Sequence, residues 1–161
     1  MVVIGGGPSG TGMEETYQLT SALKHVSWGK SVSLITDARF SGVSTGACFG
    51  HVAPEALAGG PIGKLRDDDI IEIVVDRHSL TGSVNFIGTP HAPLTPDEGA
   101  AELARRQPHP ELHAHDFLPD DTRLWAALQS VSGGTWKGCI YDTDKLSRLL
   151  TPVKKRSDCN Y

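Results

Sequence analysis

The segment that decides the fold is Ser33-Leu-Ile-Thr-Asp-Ala-Arg-Phe-Ser-Gly-Val-Ser44, an apolar run that breaks off into a polar corner punctuated by Gly42. Ser31 to Thr36 has strand character. From Asp37 to Thr45 come an acid, a base and two hydroxyl-rich steps, so side chains are presented at the end of a strand. That is where α/β proteins carry chemistry. Two readings of the corner stand side by side. In one it is a tight strand exit, with Asp37 capping backbone amides and pairing with Arg39. In the other Ser41 presents its hydroxyl to amide donors and a cation, which would stabilise the alkoxide. There is no G-x-S-x-G elbow to support ordinary acyl transfer. His51, ten residues after Ser41, is either its base or a buried, hydrogen-bonded packing residue beside Val52 and Pro54. Cys48 reads as a small core side chain rather than a nucleophile.

Upstream of the corner, Val2 to Ile4 read as a buried strand, followed by Gly5-Gly-Gly-Pro-Ser-Gly-Thr-Gly12. Gly5, Gly7 and Gly10 have the spacing of the dinucleotide fingerprint, whose logic is a tight turn, a close backbone approach and a pyrophosphate on a helix N-terminus. A flavin- or nicotinamide-binding module is therefore one alternative function. Its context is unfavourable, because the acidic residue wanted about 20 residues on is replaced by Asp37, 32 residues after Gly5. A glycine loop in which backbone approaches another segment or a substrate fits better. Leu19, Ala22, Leu23 and Val26 form one apolar stripe of a helix that is predicted to begin near Met13 and to stop at Gly29. Glu14 and Glu15 would then occupy its first turn, where the dipole keeps carboxylates ionised for capping or for a hard cation such as magnesium.

The chain has 161 residues, 39% of them hydrophobic and 21% charged, with a formal charge of -4. This predicts one folded domain and gives no support for a nucleic-acid or anionic-membrane partner. Cys48, Cys139 and Cys159 are far apart and form no C-x-x-C pair, so reduced thiols and a cytoplasmic setting are expected. No run reaches membrane length and no cleavable leader is evident, while the immediate strand at Val2 suggests a chain that starts inside a larger architecture.

Downstream, Ile70 to Val75 and Ser83 to Ile87 are predicted to form a two-stranded ribbon. Asp67, Asp68 and Asp69 before it read as a solvated turn, since no EF-hand spacing follows. Thr95-Pro-Asp-Glu98 is a capping box that opens a helix to about Arg106. His109, His113 and His115 lie in a proline-broken linker with no helix to align them as ligands. Asp121 to Val131 is a second helix with Leu124, Leu128 and Val131 on one face, closed by Gly133 and Gly134. An edge strand at Trp136 to Tyr141, a final helix at Thr143 to Leu150 and a mobile tail beyond complete the expectation.

Several of these segments together resemble one family. Leu34-Ile-Thr-Asp-Ala-Arg-Phe-Ser-Gly42, Gly50-His-Val-Ala-Pro-Glu-Ala56, Gly59-Gly-Pro-Ile62, Gly10-Thr-Gly-Met-Glu-Glu15 and Thr20-Ser-Ala22 resemble the dihydroxy-acid and phosphogluconate dehydratases. Gly12-Met-Glu-Glu-Thr-Tyr-Gln-Leu-Thr-Ser-Ala-Leu-Lys-His25 and Leu118-Pro-Asp-Asp-Thr-Arg-Leu-Trp125 look most like its sugar-acid branch, typified by xylonate dehydratase.

The resemblance implies that residues 1–150 are the C-terminal domain of a longer hydro-lyase. Its fold would be an α/β, swivelling β/β/α domain with a β-rich core and flanking helices, and 151–161 would be a flexible tail. By the same resemblance the complete enzyme removes water from a 2,3-dihydroxy sugar acid, using magnesium and an iron–sulfur cluster. Ser41 matches the catalytic base that takes the C2 proton, and Glu15 matches a magnesium ligand. None of the three cysteines matches a cluster ligand. The implied partners are an N-terminal α/β domain carrying the cluster, a small sugar-acid substrate and further copies in a homo-oligomer. Two departures stand out: Glu14 replaces a common proline, and Gly6 stands where the dihydroxy-acid enzymes carry glutamate, which implies a different substrate end. A non-catalytic packing or regulatory domain derived from the family is the remaining alternative.

Overall fold

The structure, a computed structural model, describes residues 1–151. All of the expected tail except Thr151 lies outside the described residues. At the centre, β1 (Val2–Val3), β2 (Ser33–Thr36) and β3 (Ala47–Phe49) form a parallel sheet in that order. Leu34 to Ala38 are buried without interruption, the pattern of a strand covered on both faces, which is how parallel sheets occur. Ile35, Ala56 and Ile62 make the buried core cluster, with Val2, Phe49 and Ile73 packed against it. Short parallel strands combined with helices bear out the α/β class.

The helix expected from Met13 is divided. Pro8–Thr11 forms the single turn α1, and Tyr17–Leu23 forms α2, with Thr16 at its N-cap. Gly12 at φ +74° and Met13 at φ +63° are left-handed and interrupt the helix between the two. Glu14 and Glu15 therefore precede α2 and do not lie in its first turn. The apolar stripe is also not the buried face: Leu19, Ala22 and Val26 are exposed, and Thr20 is the buried residue of α2.

The second half opens with the antiparallel ribbon of β4 (Ile71–Asp76) and β5 (Thr81–Phe86), as expected. A small hairpin of β6 (Gly88–Thr89) and β7 (Ala92–Pro93) follows, too short to announce itself by alternation. Helix α3 (Pro96–Arg105) has the predicted capping box, Thr95 Oγ1 accepting from the Glu98 N–H while Glu98 accepts from the Thr95 N–H. The solvated-turn reading fails for Asp69, whose 4%-exposed side chain bonds Arg106 at 2.6 Å and caps the Arg66 N–H.

Helix α4 (Asp120–Ser132) ends at Gly133, φ +98°, as predicted. It turns Ala126 and Gln129 inward, while Leu124 of the expected apolar face is 61% exposed. Trp136 to Tyr141 form no strand; Thr135–Lys137 is a 3-10 turn, and α5 (Thr143–Leu150) follows. Among the described residues no helix is long and apolar enough to cross a membrane.

Candidate functional site

The exit of β2 is held by one buried acid. Asp37 is fully buried, and its carboxylate accepts from the N–H groups of Gly6 at 2.9 Å, Gly5 at 3.3 Å and Ala56 at 2.8 Å. These bonds tie the glycine loop and the segment after His51 to the end of the strand. The expected amide capping is therefore present. The expected pairing with Arg39 is not, because Arg39 is exposed and its Nε donates to the Met13 carbonyl at 2.6 Å.

A second buried carboxylate works beside it. Glu55, 7% exposed, accepts from the Ser9 N–H with both oxygens and from the Ser9 hydroxyl at 2.8 Å. Desolvation and the charge of Asp37 push its pKa up, against the Ser9 bonds that lower it, and the rise prevails. Gly7 lies directly over this side chain: a Cβ there would overlap the Glu55 carboxylate, so only glycine permits the approach. That is the close approach that the glycine loop was expected to make. It also removes the basis for the dinucleotide reading. The amides of Gly5, Gly6 and Ser9 are engaged by the chain's own carboxylates, those of Gly10 and Thr11 by the Gly7 carbonyl, and α1 is a single turn. A pyrophosphate would find these donors taken.

The structure brings Glu15 and Ser41 together across 26 residues of sequence. The segment from Met13 to Thr16 runs alongside Arg39, with a parallel bridge between Glu15 and Arg39, and the Thr16 N–H and hydroxyl both donate to the Arg39 carbonyl. Glu15 Oε1 then accepts the Ser41 N–H at 2.8 Å. Ser41 itself is exposed, and its Oγ accepts only a long bond, 3.4 Å, from the Val43 N–H. In the same turn the Ser44 N–H donates to the Ser41 carbonyl, and the buried Ser44 Oγ has no partner. Sequence reasoning missed Ser44 and Glu55; both signals lie in tertiary contacts.

His51 fits neither reading. It is exposed, at φ +57°, and contributes its backbone N–H to the Ala38 carbonyl at 2.8 Å, with no side-chain bond to Ser41. The Cys48 thiol donates to the Thr45 carbonyl, and burial pushes its pKa up, which suppresses the thiolate a nucleophile needs. His113 and His115 are exposed, and His109 uses its backbone N–H on Gly63.

For a hard cation, the chemistry of the donor set fits in part. Glu15 supplies a half-buried carboxylate at the mouth of the corner, with one oxygen on the Ser41 amide. Among the described residues no group of three or more His, Cys, Asp or Glu side chains gathers to hold a metal. Magnesium takes about six oxygen ligands, so one carboxylate is a fraction of a site.

A model of the family described as dihydroxy-acid/6-phosphogluconate dehydratase C-terminal matches residues 1–134. The D-xylonate dehydratase YagF of Escherichia coli (strain K12) is 86% identical over 155 residues, which cover 96% of this chain and 24% of that protein. The D-xylonate dehydratase YjhG of the same organism is 66% identical over 152 residues, 93% of this chain and 23% of that protein. A dihydroxy-acid dehydratase of Nocardioides sp. is 39% identical over 137 residues, 83% and 22% respectively. The chain spans about a quarter of the length of these curated relatives.

Proposed function

We propose, from the premise that this chain belongs to the dihydroxy-acid/6-phosphogluconate dehydratase family, that it is the C-terminal part of a sugar-acid hydro-lyase. The reaction is the dehydration of a 2,3-dihydroxy acid such as xylonate to a 2-keto-3-deoxy acid. High identity to two proteins named D-xylonate dehydratase supports the substrate class. The observation that carries the site is the 2.8 Å bond between the Glu15 carboxylate and the backbone N–H of Ser41, a residue exposed to solvent.

In this reading Ser41 Oγ, as the alkoxide, takes the proton from C2 while the C3–O bond breaks and hydroxide departs; Ser41 then returns that proton to the hydroxide, which leaves as water and restores the alkoxide, and the enol that remains tautomerises to the 2-keto acid. A serine hydroxyl is a poor base unless its alkoxide is favoured, and the Val43 N–H offers it one long donor. Glu15, by gripping the Ser41 amide, keeps the base beside the carboxylate and fixes the turn that aims it. When bound, magnesium would clamp the substrate's carboxylate and 2-hydroxyl, and an iron–sulfur cluster would serve as Lewis acid for the 3-hydroxyl. Glu15 is the residue of this chain that would reach the magnesium. The cluster's cysteines belong to an N-terminal α/β partner domain, and the complete enzyme is a cytoplasmic homo-oligomer.

The test is exchange of the substrate's C2 proton with solvent deuterium in the enzyme completed with its upstream region. Ser41→Ala should lower that exchange by about 10²-fold or more while leaving the far-ultraviolet circular dichroism unchanged. Undiminished exchange removes Ser41 as the base.

A further inference from the structure

Glu15 and Ser41 lie 26 residues apart in sequence, and a very short piece of sheet sets one against the other. Glu15 and Arg39 form a single parallel bridge. Its backbone bonds are a good one, from the Thr16 N–H to the Arg39 carbonyl at 3.1 Å, and a long one, from the Arg39 N–H to the Glu14 carbonyl at 3.5 Å. The segment enters this bridge through two left-handed residues, Gly12 and Met13. One ladder step is a weak hold, since even a whole two-stranded pair is marginal in water.

Two side chains double the number of bonds. The Thr16 hydroxyl donates to the Arg39 carbonyl at 2.9 Å, and Arg39 Nε donates to the Met13 carbonyl at 2.6 Å. The charge on the guanidinium strengthens the second bond. Together they tie down the chain on both sides of Glu15, before it at Met13 and after it at Thr16.

Both side chains forgo a stabilising use to do this. Thr16 is the N-cap of α2, where a threonine hydroxyl ordinarily accepts from an N–H of the first turn. Here it makes no cap bond. Arg39 has no carboxylate partner among the ion pairs of the described residues, and its Nε goes to a main-chain carbonyl instead. Arg39 is exposed and Thr16 half-buried, so neither is a core residue. A local rule left unused, at the residues that flank Glu15, is what a functional site shows.

We propose that Thr16 and Arg39 are positioning residues, a clamp that holds the Glu15 carboxylate on the Ser41 amide and so sets the magnesium ligand against the base. This rests on the roles proposed for Ser41 and Glu15 and adds the pair of residues through which they are placed. Loosening the clamp lets Glu15 leave Ser41, and a displacement of about 1 Å near a reacting group can cost about 10²-fold in rate.

Two measurements on the enzyme completed with its upstream region test the clamp. The first needs no catalysis: deuterium uptake at the Ser41 amide, resolved by mass spectrometry. Thr16→Val removes the hydroxyl at nearly constant shape, and Arg39→Met removes the donor at similar length. Each should speed uptake at Ser41 about fivefold or more with the urea midpoint unmoved, because no cap bond and no ion pair is lost. Thr16→Ser, which keeps the hydroxyl, should take up deuterium at the natural rate. The second measurement is the reaction. Thr16→Val and Arg39→Met should each raise the magnesium concentration for half-saturation, and lower exchange of the substrate's C2 proton, by about tenfold, while Thr16→Ser retains both. Unchanged uptake at Ser41 in either variant overturns the proposal. So does faster uptake that leaves the magnesium requirement and C2 exchange where they were. A loss that Thr16→Ser shares marks a merely structural contact and equally overturns it. Undiminished C2 exchange in Ser41→Ala is a separate result: it sinks the proposed chemistry, and uptake at Ser41 still decides whether Thr16 and Arg39 hold Glu15 in place.

Discussion

Glu55 shows how a single buried side chain sets the conditions under which the corner stands. Its carboxylate is out of water and faces the charge of Asp37, and these outweigh the hydrogen bonds from Ser9 and Gly10, so its pKa is raised in the folded chain. The folded state therefore binds this proton more tightly than the unfolded state does. Its contribution is fully present below the ordinary glutamate value, about 4.3, and is lost as pH rises through the elevated folded value. Glu55→Gln removes that dependence. In urea titrations from about pH 4 to 7, the stability of the natural chain relative to Glu55→Gln should fall as pH rises. A flat or rising difference would refute the assignment. At this scale the sequence revealed those residues whose partners are local types rather than particular neighbours. Asp37 at a strand exit announces amide capping. Nothing local announces that Arg39 would turn to the Met13 carbonyl, or that a carboxylate 46 residues after Ser9 would close on it.

Elements were legible where their ends are encoded next to them. The cap of α3 is written in Thr95, Pro96 and Glu98, and its start is found where the sequence placed it. Helix α2 was misplaced because paired glutamates imitate a first turn, while the left-handed backbone at Gly12 and Met13 breaks the helix between Thr11 and Tyr17. The apolar stripes of α2 and α4 do not coincide with the buried residues Thr20, Ala126 and Gln129, because periodicity reports a stripe without saying what it meets. The join between α3 and the β4–β5 ribbon was invisible for the same reason. It rests on Arg106, whose Nη1 bonds Asp69 at 2.6 Å, whose Nε bonds Glu102 at 3.2 Å, and whose guanidinium lies 4.6 Å from the centre of the Phe86 ring. A lysine keeps the charge but loses the planar fork and the stacking. Arg106→Lys should cost about 1 to 3 kcal/mol of unfolding free energy, read from the urea midpoint at unchanged slope. A loss below about 0.5 kcal/mol would mean that the bridge is decorative.

At the scale of the whole molecule, two buried carboxylates knit three stretches of chain, the glycine loop, the β2 exit and the segment after His51, into one platform. The platform presents Ser41 and Glu15 together on one edge, with Ser41 open to solvent. This division between a rigid underside and an open edge is what half of a shared site requires, and it fits a chain that spans about a quarter of its relatives. The consequence is quantitative for magnesium. One carboxylate, with no group of three or more His, Cys, Asp or Glu side chains gathered among the described residues, cannot dehydrate and hold a cation that prefers about six oxygens. Isothermal titration of the isolated chain with magnesium should therefore give no saturable binding in the low millimolar range, about 1 to 5 mM. In the enzyme completed with its upstream region, Glu15→Gln should raise the magnesium concentration for half-saturation at least about tenfold, with the fold unchanged by circular dichroism. Tight binding by the isolated chain would show that the ligands are all present here. An unchanged magnesium requirement in the variant would remove Glu15 from the metal and leave it solely as the brace of the Ser41 turn.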